Sequence, residues 1–253
     1  MKVLFHENQW SFGLYLTMNN IHPTALVSPN VVLGTGNVIG PNVVICGPAE
    51  MGNDNWIGPG SIIGTPGEYQ GREHPVSWEH GSGGFIRIGS RNVIREMVTI
   101  HVSADTTTSI GDDCYIMSKC YIPHDAVIED EVKLATTVLL GGYVHVGKAA
   151  YIGMGAIVHQ RLVIGAGSMV GMGSVVTKHV PPLAKAFGNP CSIAGMNKYQ
   201  LGRFGVDEAV GEEIFQNILD KDTDFPPSVN GYMELFADFK EACQMQNIKK
   251  STT

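Results

Sequence analysis

Charge is scarce in this chain, and basic charge most of all. Of 253 residues, 16% are charged, with 17 Lys and Arg against 24 Asp and Glu, for a formal net charge of -7. A nucleic-acid binder would present a basic face, so that class is excluded. The five cysteines, Cys46, Cys114, Cys120, Cys191 and Cys243, include no CxxC pair. They outline no disulfide framework and read as free thiols in a reducing cytosol. No apolar run is long enough to span a bilayer. His6, Glu7, Asn8 and Gln9 interrupt any signal-peptide core. The expected location is the cytoplasm. Residues 1–17 read as an addition before the patterned region, with Met18 an alternative start.

What is present is a period of six. Ile21, Val27, Leu33, Ile39, Ile45, Met51, Ile57 and Ile63 keep it, and Ile88, Ile94 and Ile100 resume it. Ile110, Ile116, Ile122, Ile128, Leu134, Leu140, Val146, Ile152, Val158, Ile164, Val170 and Val176 then hold it over successive steps. Neither a helix nor simple alternation produces that spacing. A hexapeptide repeat is the signature of a parallel β-helix. The expected fold is all-β, a parallel β-helix of hexapeptide repeats with a C-terminal α-helical segment. Glycines that follow the aliphatics, as in Ile39-Gly40 and Ile57-Gly58, are expected to supply the corners. Flat walls meeting at tight corners close most simply as a triangle, so three hexads make one coil of eighteen residues. Neighbouring coils stack at about 4.8 Å.

The count divides the chain into an N-terminal extension (1–20), the β-helix (21–190) and a C-terminal helical region (191–253). Residues 65–87, with Pro66, Gly67, Gly71, Pro75, Gly81, Gly83 and Gly84, read as a loop thrown out of the coil. Long loops in compact domains are often functional. Residues 101–109 form a smaller excursion. Val180 to Pro190 reads as a polar, Pro-marked exit. A helix start is expected at Asp207-Glu208, a second near Asn230, and fraying from Lys249.

An eighteen-residue coil acts as a ruler. His124, Gly142 and Gln160 are each eighteen apart and fall in one column. Asp125 with Tyr143, and Tyr121 with Leu139, form adjacent columns. A His beside a Gly N–H and an amide suits acyl transfer: the His as general base on a hydroxyl, the N–H on the oxyanion. A corner His also occurs commonly as a solvent-facing or merely hydrogen-bonded residue. His101 and His159 directly follow inward aliphatics and could face a cleft.

The pieces Ile21-His22-Pro23-Thr24-Ala25, Ile94-Arg95-Glu96, Val98-Thr99-Ile100-His101, Pro123-His124-Asp125, Gly142, Val158-His159-Gln160, Val180-Pro181-Pro182 and Gly188-Asn189 carry a family likeness. From about residue 19 to 205 the chain resembles the acyl-carrier-protein–UDP-N-acetylglucosamine O-acyltransferases of lipid A synthesis. That resemblance implies a left-handed coil, against the general crossover preference, and a homotrimer with active sites between subunits. It implies His124 as general base assisted by Asp125, and Gly142 as oxyanion donor. It also implies His159 and Gln160 on the sugar nucleotide or acyl chain, and Arg203 near the nucleotide phosphates. No tightly bound cofactor is implied. The donor is acyl carrier protein or coenzyme A, as the acyl thioester. The chain departs from the family on the acceptor side. Glu68 stands where a Lys is expected, followed by Tyr69, and Tyr121 and Tyr143 replace histidines. N-acylation of a different nucleotide-linked amino sugar therefore stays an alternative. A zinc β-helix would need three converging histidines, and His101, His124 and His159 share no column.

Overall fold

The computed structural model of the protein describes residues 18–68, 70, 74, 83–220 and 230–251. The Tyr69 assignment and most of the expected 65–87 loop lie outside the described residues.

Strands of mostly two or three residues stack into three parallel sheets, and the chain coils left-handed. The first sheet runs from Asn20–Ile21 through Tyr115–Ile116 to Met169–Val170. The second runs from Leu26–Val27 through Tyr121–Ile122 to Val175–Val176. The third runs from Val31–Leu33 through Val127–Ile128 to Val163–Ile164. Pairing follows the eighteen-residue ruler: Asn20 faces Val38, Tyr121 faces Leu139, and Leu139 faces Ile157. From Ile39 onward the repeated aliphatics are buried, from Ile57 at 0% exposure to Val176 at 1%. Each such side chain contributes on the order of 2 kcal/mol of transfer free energy. Ile21 departs from the expected inward set: it is 41% exposed, in the first of the described coils.

The corners are made differently from expectation. The left-handed residue sits three places after the aliphatic and is usually not glycine: Asn42, Asp54, Met97, Asp113, Lys119, Asp125, Glu131, Tyr143 and Arg161 all have φ between 56° and 61°. The glycine directly after the aliphatic serves close approach between coils instead. A Cβ on Gly40 would lie 3.0 Å from the Ile57 carbonyl oxygen, and one on Gly58 would lie 2.6 Å from the Arg95 carbonyl carbon.

Both interruptions leave the coil at one edge. The segment after Ile62–Thr65 joins the second sheet to the third, and so does 102–107, between Thr99–His101 and Thr108–Ile110. Residues 123–126, carrying His124, turn the same edge one coil further on. Partners are 37 residues apart across the first interruption (Asn55 and Asn92) and 22 across the second (Asn92 and Cys114). Register then returns to eighteen.

An opposite edge holds a buried asparagine ladder. The Asn37 Oδ1 accepts the Asn55 N–H at 2.9 Å, and the Asn55 Oδ1 accepts the Asn92 N–H at 2.9 Å. The Asn92 Oδ1 accepts the Cys114 N–H at 2.8 Å.

The exit is more ordered than a polar connector. Ala184–Phe187 adds to the first sheet, and Ser192–Met196 turns back antiparallel against it. The region expected to be helical thus opens with a strand. Helices follow at Lys198–Arg203 (α1), Glu208–Asp220 (α2) and Asn230–Ser251 (α3). The Asp207 carboxylate accepts the Ala209 N–H at 2.8 Å, marking the start of α2 near Asp207-Glu208. α3 extends past Lys249, where fraying was expected. Leu183, Met196, Leu201, Val206, Ile214 and Phe236 form a second apolar cluster joining helices to coil.

Candidate active site

His124 anchors the group. Its Nδ1 lies 2.9 Å from Oδ2 of Asp125. The His124 side chain is 12% exposed and that of Asp125 is 0% exposed. Asp125 occupies the left-handed corner, which turns its carboxylate into the 102–107 excursion. There the Ala104, Asp105 and Thr106 N–H groups donate to it at 2.8, 3.0 and 2.7 Å, and the Thr106 hydroxyl at 2.8 Å. Thr108 Oγ1 accepts the Asp125 N–H at 2.8 Å. Burial alone would raise the carboxyl pKa; the hydrogen bonds from His124 and this backbone nest outweigh it and hold Asp125 well below the usual carboxylate range. An ionised Asp125 fixes the proton on Nδ1 and leaves Nε2 of His124 as the acceptor.

Glycine backbones flank the imidazole. A Cβ on Gly142 would stand 2.8 Å from Nε2, and one on Gly67 2.9 Å from the His124 Cβ. The Tyr143 N–H donates to the His124 carbonyl at 3.2 Å, and the Arg161 N–H to the Gly142 carbonyl at 2.8 Å. His124, Gly142 and Gln160 therefore stack as the ruler places them.

Two tyrosines frame the His. The Tyr143 ring meets that of His124 edge-on at 5.1 Å, and its hydroxyl donates to Asp105. The Tyr121 hydroxyl donates to Glu68 Oε2 at 3.1 Å and lies 3.5 Å from His101 Nδ1. Burial raises both phenols, with the Glu68 charge adding at Tyr121 and the Asp105 bond at Tyr143. His101 is 5% exposed; burial pushes its pKa down, partly opposed by Glu68, with His124 adding to the depression. Glu68 is exposed at the rim of this group.

His159 and Gln160 share this edge and are exposed; the His159 Nδ1 contacts the Gln160 carbonyl at 3.0 Å. Arg203 is not brought to His124 within one chain. It pairs with Glu131 at 2.5 Å, on the edge between the third and first sheets. Among the described residues, no group of three or more His, Cys, Asp or Glu side chains converges as a metal-ligand set.

Sequence reasoning missed the backbone nest of 104–106, Gly67 and Arg161. The Thr-rich interruption was a signal for the first. The other two follow only from where the chain folds back.

No protein-family model matches the chain, and a search of curated proteins finds no match. Solved structures do match. The Arabidopsis UDP-N-acetylglucosamine acyltransferase is 26% identical, over 88% of this chain and 91% of that one, with a TM-score of 0.65. The enzyme of that name from Campylobacter jejuni is 25% identical over 89% and 93%, with a TM-score of 0.59. The UDP-N-acetylglucosamine O-acyltransferase of Moraxella catarrhalis is 24% identical over 90% and 96%, with a TM-score of 0.68. The chain has the left-handed β-helix fold of the hexapeptide-repeat acyltransferases.

Proposed function

We propose that the protein moves an acyl group from a thioester, carried by acyl carrier protein or coenzyme A, to the hydroxyl of UDP-N-acetylglucosamine. The supporting observation is the His124–Asp125 dyad, with the Nε2 of His124 beside Gly142. His124 Nε2 takes the hydroxyl proton as oxygen attacks the thioester carbonyl. Asp125 holds the tautomer and stabilises the imidazolium. Among the described residues nothing accepts the Gly142 N–H, which leaves it to donate to the oxyanion. Collapse breaks the C–S bond, and His124 returns the proton to the leaving thiolate. His101, Tyr121, Glu68, Tyr143, His159 and Gln160 lie on the acceptor or acyl side.

The active assembly is a homotrimer, with Arg203 serving a neighbour's site. Leu26, Ile62, Leu139 and Ile157, all 38% exposed or more, project outward from the second sheet. Leu26, Val44 and Ile62 also line an apolar groove of about 410 Å³. Such a wall is suited to a subunit contact. A single-chain mass by light scattering at working concentration overturns the trimer. The reaction would belong to lipid A synthesis in the cytoplasm.

The second reading, N-acylation of another nucleotide-linked amino sugar, is favoured by Glu68. Its carboxylate, held by Tyr121 beside His101, attracts an ammonium and repels a phosphate. The test is mass spectrometry of hydroxyl- and amine-bearing sugar nucleotides with acyl-carrier and coenzyme A donors. Ester formation lost in His124→Ala supports O-acylation; amide formation alone supports the second reading. No product with any pair overturns both. An acceptor preference unchanged in Glu68→Lys removes Glu68 from acceptor recognition.

A further inference from the structure

The column that carries His124 does not stop at Gln160. Eighteen residues further on stands Lys178. The pairing keeps that register: Leu139 faces Ile157, Ile157 faces Val175, and the His159 N–H donates to the Val176 carbonyl at 2.9 Å. Lys178 therefore lies three coils beyond His124 on the same edge, about 14 Å away at the usual coil spacing. His159, Gln160, Thr177 and Lys178 are all exposed there.

This end of the edge is basic, in a chain of net charge -7. Arg161, next to Gln160, is 8% exposed, and its Nη1 is buried without a hydrogen bond. Its guanidinium lies over the Tyr143 ring, 4.1 Å from carbon to centroid. Among the described residues no carboxylate pairs with Arg161 or with Lys178. Lys148 and Arg203 differ: both pair with Glu131, on the edge between the third and first sheets. Residues 159–161 and 177–179 contain no Asp or Glu. Two cations without acidic partners attract an anion to this stretch.

Length decides which anion. An extended chain advances about 1.1–1.2 Å per bond. About five to eight bonds separate an acceptor hydroxyl or amine from the phosphates of a sugar nucleotide, a reach of about 6–9 Å. About thirteen bonds separate the sulfur of a pantetheine thioester from its phosphate, a reach of about 15 Å. Only the second spans three coils. We propose that Lys178 binds the phosphate at the end of the donor's pantetheine arm, with the arm extended along the exposed column past Gln160. The ammonium meets that phosphate as a point charge, and Arg161 adds to the positive field. This site deepens the thioester-transfer reading and rests on it, since His124 marks the reacting carbon. The phosphate is common to coenzyme A and acyl carrier protein.

The test reads binding, not turnover. The full chain is titrated by calorimetry with pantetheine and with 4′-phosphopantetheine, as the parent, Lys178→Ala and Lys178→Arg. The parent is expected to prefer the phosphorylated arm by about tenfold, the effect of one charge-assisted contact. That preference should shrink with added salt. Lys178→Ala is expected to bind both arms alike, and Lys178→Arg to keep the preference. Melting curves report folding of each variant. Coenzyme A, and acyl carrier protein with and without its arm, then distinguish the source: the donor in use is the one whose affinity falls in Lys178→Ala. A parent that binds both arms equally, or neither, overturns the proposal. So does a Lys178→Ala variant with the parent's preference. If the preference depends on Lys178 but no acceptor is acylated, the function is wrong and the phosphate site stands. If acylation proceeds with an unchanged donor KM in Lys178→Ala, the function stands and the phosphate site is wrong.

Discussion

Gly67 lies flat against His124: a Cβ there would come within 2.9 Å of the His124 Cβ and 3.2 Å of the ring carbon Cδ2. The start of the long interruption is thus one wall of the candidate site. Gly67→Val should displace either the loop or the imidazole. A misplacement of about 1 Å costs about 100-fold in rate. Turnover is expected to fall by that order while the melting temperature stays near the parent's, because the coil core is untouched. Parent-like turnover in steady-state assays counts against this wall.

Gly142 closes the opposite side. In Gly142→Ala the new methyl would sit 2.8 Å from Nε2 of His124, where an acceptor hydroxyl must approach. The expected result is a loss of about 100-fold or more in kcat. Circular dichroism should show the fold retained. Activity within a few-fold of the parent would refute the placement of the reacting atoms.

Asp125→Asn tests the dyad and its pH dependence. The folded-state pKa of Asp125 is depressed, so its contribution to stability is present above the ordinary aspartate value, about 3.9, and is lost as pH falls below it. The parent should therefore lose stability on acidification below about pH 4 more steeply than the Asn variant. At pH 7 the variant should be less stable by about 1–3 kcal/mol, since an amide nitrogen cannot accept from the nest. Urea denaturation at several pH values measures both. Superimposable acid limbs are the adverse outcome.

His101 gives a second titration. Burial lowers its folded-state pKa, so the neutral ring's contribution is present above about 6.5 and declines as pH falls through that value. Its NMR midpoint should lie below 6.5 or so. Glu68→Gln should move it lower still, because the Glu68 charge favours the imidazolium. A midpoint unmoved by Glu68→Gln would break the link between the rim and this edge.

Asn55→Leu separates stability from chemistry. Asn55 donates to the Gly89 carbonyl at 2.9 Å and accepts the Asn92 N–H. Leucine leaves the Asn92 N–H buried and unpaired, at about 1–3 kcal/mol, and leaves the Gly89 carbonyl only its bond from the Gly52 N–H at 3.2 Å. The denaturation midpoint should drop clearly, with the His124 edge unaltered.

The fold was legible because a strict period of six repeats one constraint many times over. Ile57, Ile94 and Ile116 face the same interior at the same height in successive coils, so register errors would expose all of them. The column of His124, Gly142 and Gln160 follows from that arithmetic alone. The corner chemistry was less legible. Left-handed residues such as Met97, Lys119 and Tyr143 carry no glycine to mark them. The asparagine ladder of Asn37, Asn55 and Asn92 was missed, since hydrogen bonds between coils leave no spacing signal of their own.

Sequence by itself determined the triangular coil, the column that carries His124, and the two places where the count fails. Only the tertiary structure decided that both failures emerge at the His124 edge, that the second wraps its backbone N–H groups around Asp125, and that Arg161 lies across Tyr143. It also decided that Arg203 pairs with Glu131 on another edge. The physical reason is that periodic burial is a local rule repeated along the chain. The surroundings of a charge depend on which loops fold back over it, and no period records that.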